Sequence, residues 1–107
     1  MTDCLFCKII AKELPSAIIY ENDNFLVIKD IKPLAPIHLL IITKKHIPSV
    51  DQLAENDKEL IGEMILVAQQ VARDQGMNQV GYKLGFNVGK GGGQLIPHLH
   101  LHLLGGW

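Results

Sequence analysis

The spacing of apolar positions changes several times along the chain, and each change predicts an element. Ile18 to Glu21 and Phe25 to Ile28 are short apolar, β-branched runs separated by Asn22-Asp23-Asn24, which predicts a β-hairpin. Pro33 and Pro36 force an irregular stretch, after which His38 to Thr43 (His-Leu-Leu-Ile-Ile-Thr) reads as a buried strand. The period then lengthens: Leu60, Ile61, Met64, Ile65, Ala68, Val71 and Ala72 form one apolar stripe at helical spacing. Asn56 is the expected N-cap of that helix, Glu59 takes the reciprocal capping position, and Gly76 closes it. Tyr82 to Val88 and Pro97 to Leu104 return to strand patterning. Near the start, Leu5, Ile9 and Lys12 share one side of a short helix within Cys4 to Lys12 that Pro15 ends. Together these elements predict an α+β fold, an antiparallel sheet of about five strands with one long and one short helix. A helix on one face leaves the other face or an edge in need of cover, as a second copy could provide.

Composition narrows the function. The 107 residues suit a single domain, 1–107, large enough to bury a core without disulfide staples. Ten Lys and Arg against eleven Asp and Glu leave a net charge of -1, so no basic field exists to hold nucleic acid. No apolar run approaches the roughly 20 residues that span a bilayer, which argues against a membrane. Met1 to Cys7 lacks the basic start and long apolar stretch of a signal peptide, so cytoplasmic residence is expected. There Cys4 and Cys7 stay reduced, and their two-residue spacing points to metal or redox chemistry.

The last predicted strand carries the main chemical signal. Side chains alternate across a strand, so His98, His100 and His102 share one face while Leu99, Leu101 and Leu103 enter the core. A lone histidine on such a face is usually structural. Three in strict alternation, out of five in the chain, indicate function. Two chemistries fit: imidazoles converging on one zinc with an open position for water, or one neutral imidazole attacking phosphorus while its neighbours hold the phosphoryl oxygens. Directly upstream, Asn87-Val88-Gly89-Lys90-Gly91-Gly92-Gly93-Gln94 has the glycines that let backbone N–H groups approach an anion.

The run His98-Leu99-His100-Leu101-His102-Leu103-Leu104 resembles the His-φ-His-φ-His-φ-φ signature of the histidine triad (HIT) family, φ being apolar. Four further stretches, in the family's order, resemble its Hint branch. They are Phe6-Cys7-Lys8-Ile9-Ile10 with Glu13-Leu14-Pro15, Asp30-Ile31 with Ala35-Pro36, His38 through His46, and Gly92-Gly93-Gln94. The resemblance implies a HIT-like fold whose sheet continues across a homodimer. It also implies a nucleotide hydrolase or transferase acting at the α-phosphorus of nucleoside monophosphate derivatives, purine nucleoside phosphoramidates above all, through a nucleotidyl-histidine.

Carried over by that resemblance, His100 is the nucleophile, and His102 and His38 contact the phosphate and assist departure of the leaving group. Asn87 matches a phosphate-side contact, Asp30 the acid on the ribose hydroxyls, and Leu5, Phe6, Ile9, Ile28, Ile31 and Leu40 the wall around the base. Gly93, Gln94 and Leu95 complete the nucleotide contacts, although Leu95 stands where relatives often carry a polar residue. Lys29 and Ile28 replace an aromatic or histidine pairing seen near the base in some relatives. The chemistry itself requires no cofactor.

Cys4-Leu5-Phe6-Cys7 has the spacing of half a structural zinc site. Bacterial relatives resembling this chain complete such a site with two histidines, which implies His46 and His98 as partners of Cys4 and Cys7. Unmetallated thiols and a redox pair are the alternatives. For the whole protein, a zinc hydrolase using the triad as ligands and a nucleotide-binding module without turnover remain the competing readings.

Overall fold

The computed structural model describes residues 4–107; Met1 to Asp3, the start of the stretch read as lacking a signal peptide, lie outside the described residues. Helix α1 (Leu5–Ile10) leads into strands β1 (Ile18–Glu21), β2 (Phe25–Lys29) and β3 (Ile37–Thr43). The long helix α2 (Lys58–Asp74) follows, then β4 (Lys83–Gly85) and β5 (His100–Gly105). All neighbouring strands pair antiparallel in the order β1-β2-β3-β5-β4. The hairpin turn is held by Asn22, whose Oδ1 accepts from the Asn24 and Phe25 N–H groups.

Strand periodicity then sorts the side chains onto two faces. Phe25, Val27, Leu39, Ile41, Leu99, Leu101 and Leu103 pack beneath α2 against Met64, Val67, Ala68, Val71 and Ala72. The opposite face presents Leu26, Ile28, Leu40 and Ile42 to Phe6 and Ile9 of α1. The face expected to lack cover is therefore partly covered by the chain's own short helix. Register places Leu40 opposite His102 and Ile42 opposite His100, so the histidines of β5 lie on the α1 face.

Several boundaries differ from the sequence expectation. Asn56 does not cap α2. Residues Glu55–Asp57 form a 3-10 turn, and Asp57 closes it: Oδ2 accepts from the Ala54 N–H at 2.9 Å and Oδ1 from Lys45 Nζ at 2.7 Å. The Lys45 ammonium and that N–H hold the Asp57 carboxyl below the usual range. Ile65 faces outward and Val67 is buried: at roughly 100° per residue the two lie at opposite margins of the stripe, and the Val67 margin is the one turned to the sheet. Gly76 does end α2, in the left-handed conformation at φ 75°.

In α1 the buried side chains are Phe6 and Ile9, while Leu5 is exposed and Lys12 lies beyond the helix at φ 64°. The predicted Tyr82–Val88 strand shortens to three residues. The last strand opens at His100 rather than Pro97, because Pro97 has no N–H to donate and Leu99 N–H is taken by the Ile47 carbonyl at 2.6 Å. Among the described residues no helix is long and apolar enough to cross a membrane.

Candidate active site

On the α1 face, β3, β5, α1 and the glycine loop enclose a cavity of about 860 Å³. Every residue expected to contact a nucleotide lines it: Leu5, Phe6, Ile9, Ile28, Asp30, Ile31, Leu40, Asn87, Gly93, Gln94 and Leu95, with His38, His100 and His102. They are not equivalent. Phe6, Ile9, Ile28 and Leu40 form a buried apolar floor, whereas Ile31 and Leu95 stand at the rim, 89% and 92% exposed.

The histidine hydrogen bonds fix which nitrogens carry protons. A carbonyl only accepts, so His100 Nδ1, 2.6 Å from the His98 carbonyl, must be the protonated nitrogen. In the neutral ring, His100 Nε2 is then a free lone pair. His38 Nδ1 accepts from the Leu34 N–H at 3.0 Å, so its Nε2 carries the proton and donates to His102 Nδ1 at 2.9 Å. That leaves His102 Nε2 as a donor. Two adjacent rings, with centroids 5.0 Å apart, thus carry opposite functions.

Burial keeps these rings neutral. Desolvation lowers the His100 pKa from its ordinary value. Desolvation first, then repulsion from His100 and His38, lowers that of His102 to about 4. Asp30 stands beside the pair, its Oδ2 3.4 Å from His38 Nε2 and its Oδ1 accepting from the Lys32 N–H at 2.9 Å. The carboxylate expected to meet a ribose is thus already oriented by the Lys32 N–H, with lone pairs remaining for further donors.

The polar residues of the glycine loop spend their amides on backbone. Asn87 Nδ2 donates to the Gly92 carbonyl at 2.8 Å. Gln94 Nε2 donates to the Pro48 and Ile96 carbonyls at 2.7 and 2.9 Å, and its Oε1 accepts from the Gly89 N–H. Gly93, at φ 83°, turns the chain between them. Sequence reasoning missed the loop's internal bracing, and it missed the backbone groups of Leu34 and His98 that set the tautomers. It also missed Leu34 and Lys32 as lining side chains.

The triad does not converge on one point. His98 turns to a second cluster, in which one ligand atom each from Cys4, Cys7, His46 and His98 lie within 4.8 Å of one another. His98 Nε2 donates to the Thr43 carbonyl at 2.6 Å, so its Nδ1 lone pair faces the cluster. That nitrogen lies 3.1 Å from Cys4 Sγ, 3.1 Å from His46 Nδ1 and 3.5 Å from Cys7 Sγ. Cys7 Sγ is 3.3 Å from His46 Nδ1, and the Cys7 N–H donates to Cys4 Sγ at 3.4 Å. Burial and the neighbouring Cys4 raise the Cys7 thiol pKa. Two sulfurs and two imidazole nitrogens at these separations fit one tetrahedral zinc, with N–H groups placed to support thiolate and ring orientation.

The chain matches known proteins in sequence and fold over nearly its whole length. Residues 3–106 match the family model described as "Scavenger mRNA decapping enzyme C-term binding". The chain is 44% identical over 105 residues to Protein HitA of Neisseria gonorrhoeae, covering 98% of this chain and 97% of that protein. It superposes on a HIT family hydrolase from Legionella pneumophila Philadelphia 1 with a TM-score of 0.96 at 47% identity, covering 98% of this chain and 94% of the other. A HIT family hydrolase from Clostridium thermocellum gives 0.97 at 46% identity, covering 100% and 93%. With the histidine-bearing strand and the full sheet order in place, this agreement shows that the chain belongs to the histidine triad family, among its hydrolases.

Proposed function

We propose that the protein hydrolyses purine nucleoside phosphoramidates, as Hint-like members of the family do, through a nucleotide transiently bonded to His100. The observation that carries this reading is the pair of opposed tautomers: an unprotonated Nε2 on His100 beside a protonated Nε2 on His102. A lone pair can attack phosphorus while the neighbouring N–H steadies the charge that develops on the phosphoryl oxygens.

In the first step a bond forms from His100 Nε2 to phosphorus and the phosphorus–nitrogen bond to the amine breaks. The amine leaves with one proton, and the water that attacks phosphorus in the second step returns one. His102 is the ring placed to pass it. A phosphoryl anion favours protonated His102, and His38 can then turn its N–H to Asp30 Oδ2. The floor of Phe6, Ile9, Ile28 and Leu40 suits a flat apolar base, and Asp30 suits the ribose hydroxyls. The test is release of AMP and free amine from an adenosine phosphoramidate by wild type and by His100→Ala. Loss of turnover in the variant supports the reading. Equal turnover sinks it, and tight AMP binding without turnover by either protein would favour a binding module.

A zinc hydrolase built on all three triad histidines has no geometric support, since His98 faces away from the cavity pair. We assign zinc instead to Cys4, Cys7, His46 and His98. There it would act as a closed crosslink with no open position for water. Closely placed Cys4 and Cys7 that hold a metal as thiolates suit a reducing compartment, which supports a cytoplasmic location. Strands β1 and β4 are the sheet edges, and Val80 and Trp107 are exposed, 78% and 66%, where the chain enters β4 and leaves β5. This supports a homodimer continuing the sheet, which light scattering would test.

A further inference from the structure

We propose that metal bound by Cys4, Cys7, His46 and His98 sets the affinity of the neighbouring cavity for nucleotide, so that metal and nucleotide bind cooperatively. The inference rests on the nucleotide and zinc readings given above.

Helix α1 belongs to both sites. Its first turn supplies Cys4 and Cys7, and the residues between them, Leu5 and Phe6, line the cavity with Ile9. Six residues are too few for a helix to hold itself, so α1 depends on what it is tied to. Among the described residues, side-chain hydrogen bonds from 4–12 to the rest of the chain run to His46 and His98, apart from the exposed Lys12–Glu21 pair. The cluster is therefore the polar tie between the cavity wall and the sheet.

A second connection runs through His98. Its ring faces the cluster through Nδ1, and its own carbonyl accepts the His100 Nδ1–H that leaves Nε2 free. Phe6 bridges the two, its ring edge-on to His98 at 5.9 Å and to His100 at 5.0 Å between centroids. A metal that fixes Cys4, Cys7 and the His98 ring thus fixes the floor under the base and the anchor of the nucleophile together. Because coupling of two binding sites is reciprocal, nucleotide must tighten metal by the same factor that metal tightens nucleotide.

The experiment uses AMP as the nucleotide probe and zinc as the metal probe, on zinc-loaded and zinc-stripped full-length protein. We expect stripping to weaken AMP roughly tenfold by calorimetry, a typical size for the coupling between two binding sites. Saturating AMP should tighten zinc by the same factor in competition with a chromophoric chelator. Amide exchange should quicken in Leu5–Ile10 of the stripped protein while β3 and β5 stay protected. Should full stripping unfold the chain, Cys7→Ser keeps three donors, and AMP affinity is then followed as zinc is raised. Zinc binding with unchanged AMP affinity overturns the coupling alone. Failure of the cluster to bind zinc overturns the coupling together with the zinc reading. Failure of zinc-loaded protein to bind AMP overturns it together with the nucleotide reading.

Discussion

The two faces of the sheet are made by the same strands and do different work. Beneath α2, alternate residues of β2, β3 and β5 are aliphatic or aromatic and dry, and Phe25, Ile41, Leu101 and Leu103 are at most 1% exposed. One residue further along each strand, the α1 face carries His38, His100, His102 and the cysteine–histidine cluster. The difference teaches how a small domain can afford a polar site. The α2 face supplies most of the apolar burial, so the α1 face can hold neutral, desolvated imidazoles that cost stability.

Breaking each face should therefore break a different property. The largest effect is expected on the α1 face: His100→Ala should lower turnover on the order of 10^3-fold or more, with little change in thermal midpoint. Loss of both activity and fold would contradict the separation. On the α2 face, Leu101→Ala should cost about 2–5 kcal/mol in urea unfolding through the cavity it leaves. Its turnover at low temperature should stay close to wild type, and a collapse of turnover in still-folded protein would show that the faces are coupled.

Acid sharpens the contrast. Between the ordinary imidazole value of 6.5 and about 4, the unfolded chain protonates His102 while the folded chain does not. The unfolded state then binds more protons, so stability is full above that window and falls as pH drops through it. His100, lowered by burial, acts with the same sign. His102→Gln should flatten part of this acid limb in urea midpoints measured from pH 7 down to 4, and an unchanged limb would remove His102 as its source. The smallest effect belongs to neither face. Lys12→Ala, which breaks the exposed pair with Glu21, should leave the thermal midpoint unchanged within error.

Much of this division was legible from period alone. Alternation placed Leu99, Leu101 and Leu103 opposite His98, His100 and His102, and a strand makes that choice strictly. Short or irregular segments were less legible. The six residues of α1 are too few for a period to show which side is buried: Leu5, grouped with Ile9 by spacing, is exposed, and Phe6 is buried beside Ile9 instead. Asn56 looked like a cap, yet Asp57 takes that position, its carboxylate shared between the Ala54 N–H and Lys45, twelve residues away, a partner that no local pattern reveals. Asn87 and Gln94 were legible as residues of the site but not as braces, because their partners are carbonyls of Gly92, Pro48 and Ile96. The tautomers were illegible for the same reason: Leu34 N–H and the His98 and Thr43 carbonyls are backbone groups that every sequence offers.

The central claim is that His100 Nε2 forms a bond to phosphorus. Intact-mass spectrometry of protein quenched early after mixing with an adenosine phosphoramidate tests it most directly. The account predicts a transient adenylate adduct on wild type, mapped to His100 and absent from His100→Ala. Hydrolysis that proceeds with no adduct at any quench time, or an adduct that persists in His100→Ala, would contradict it.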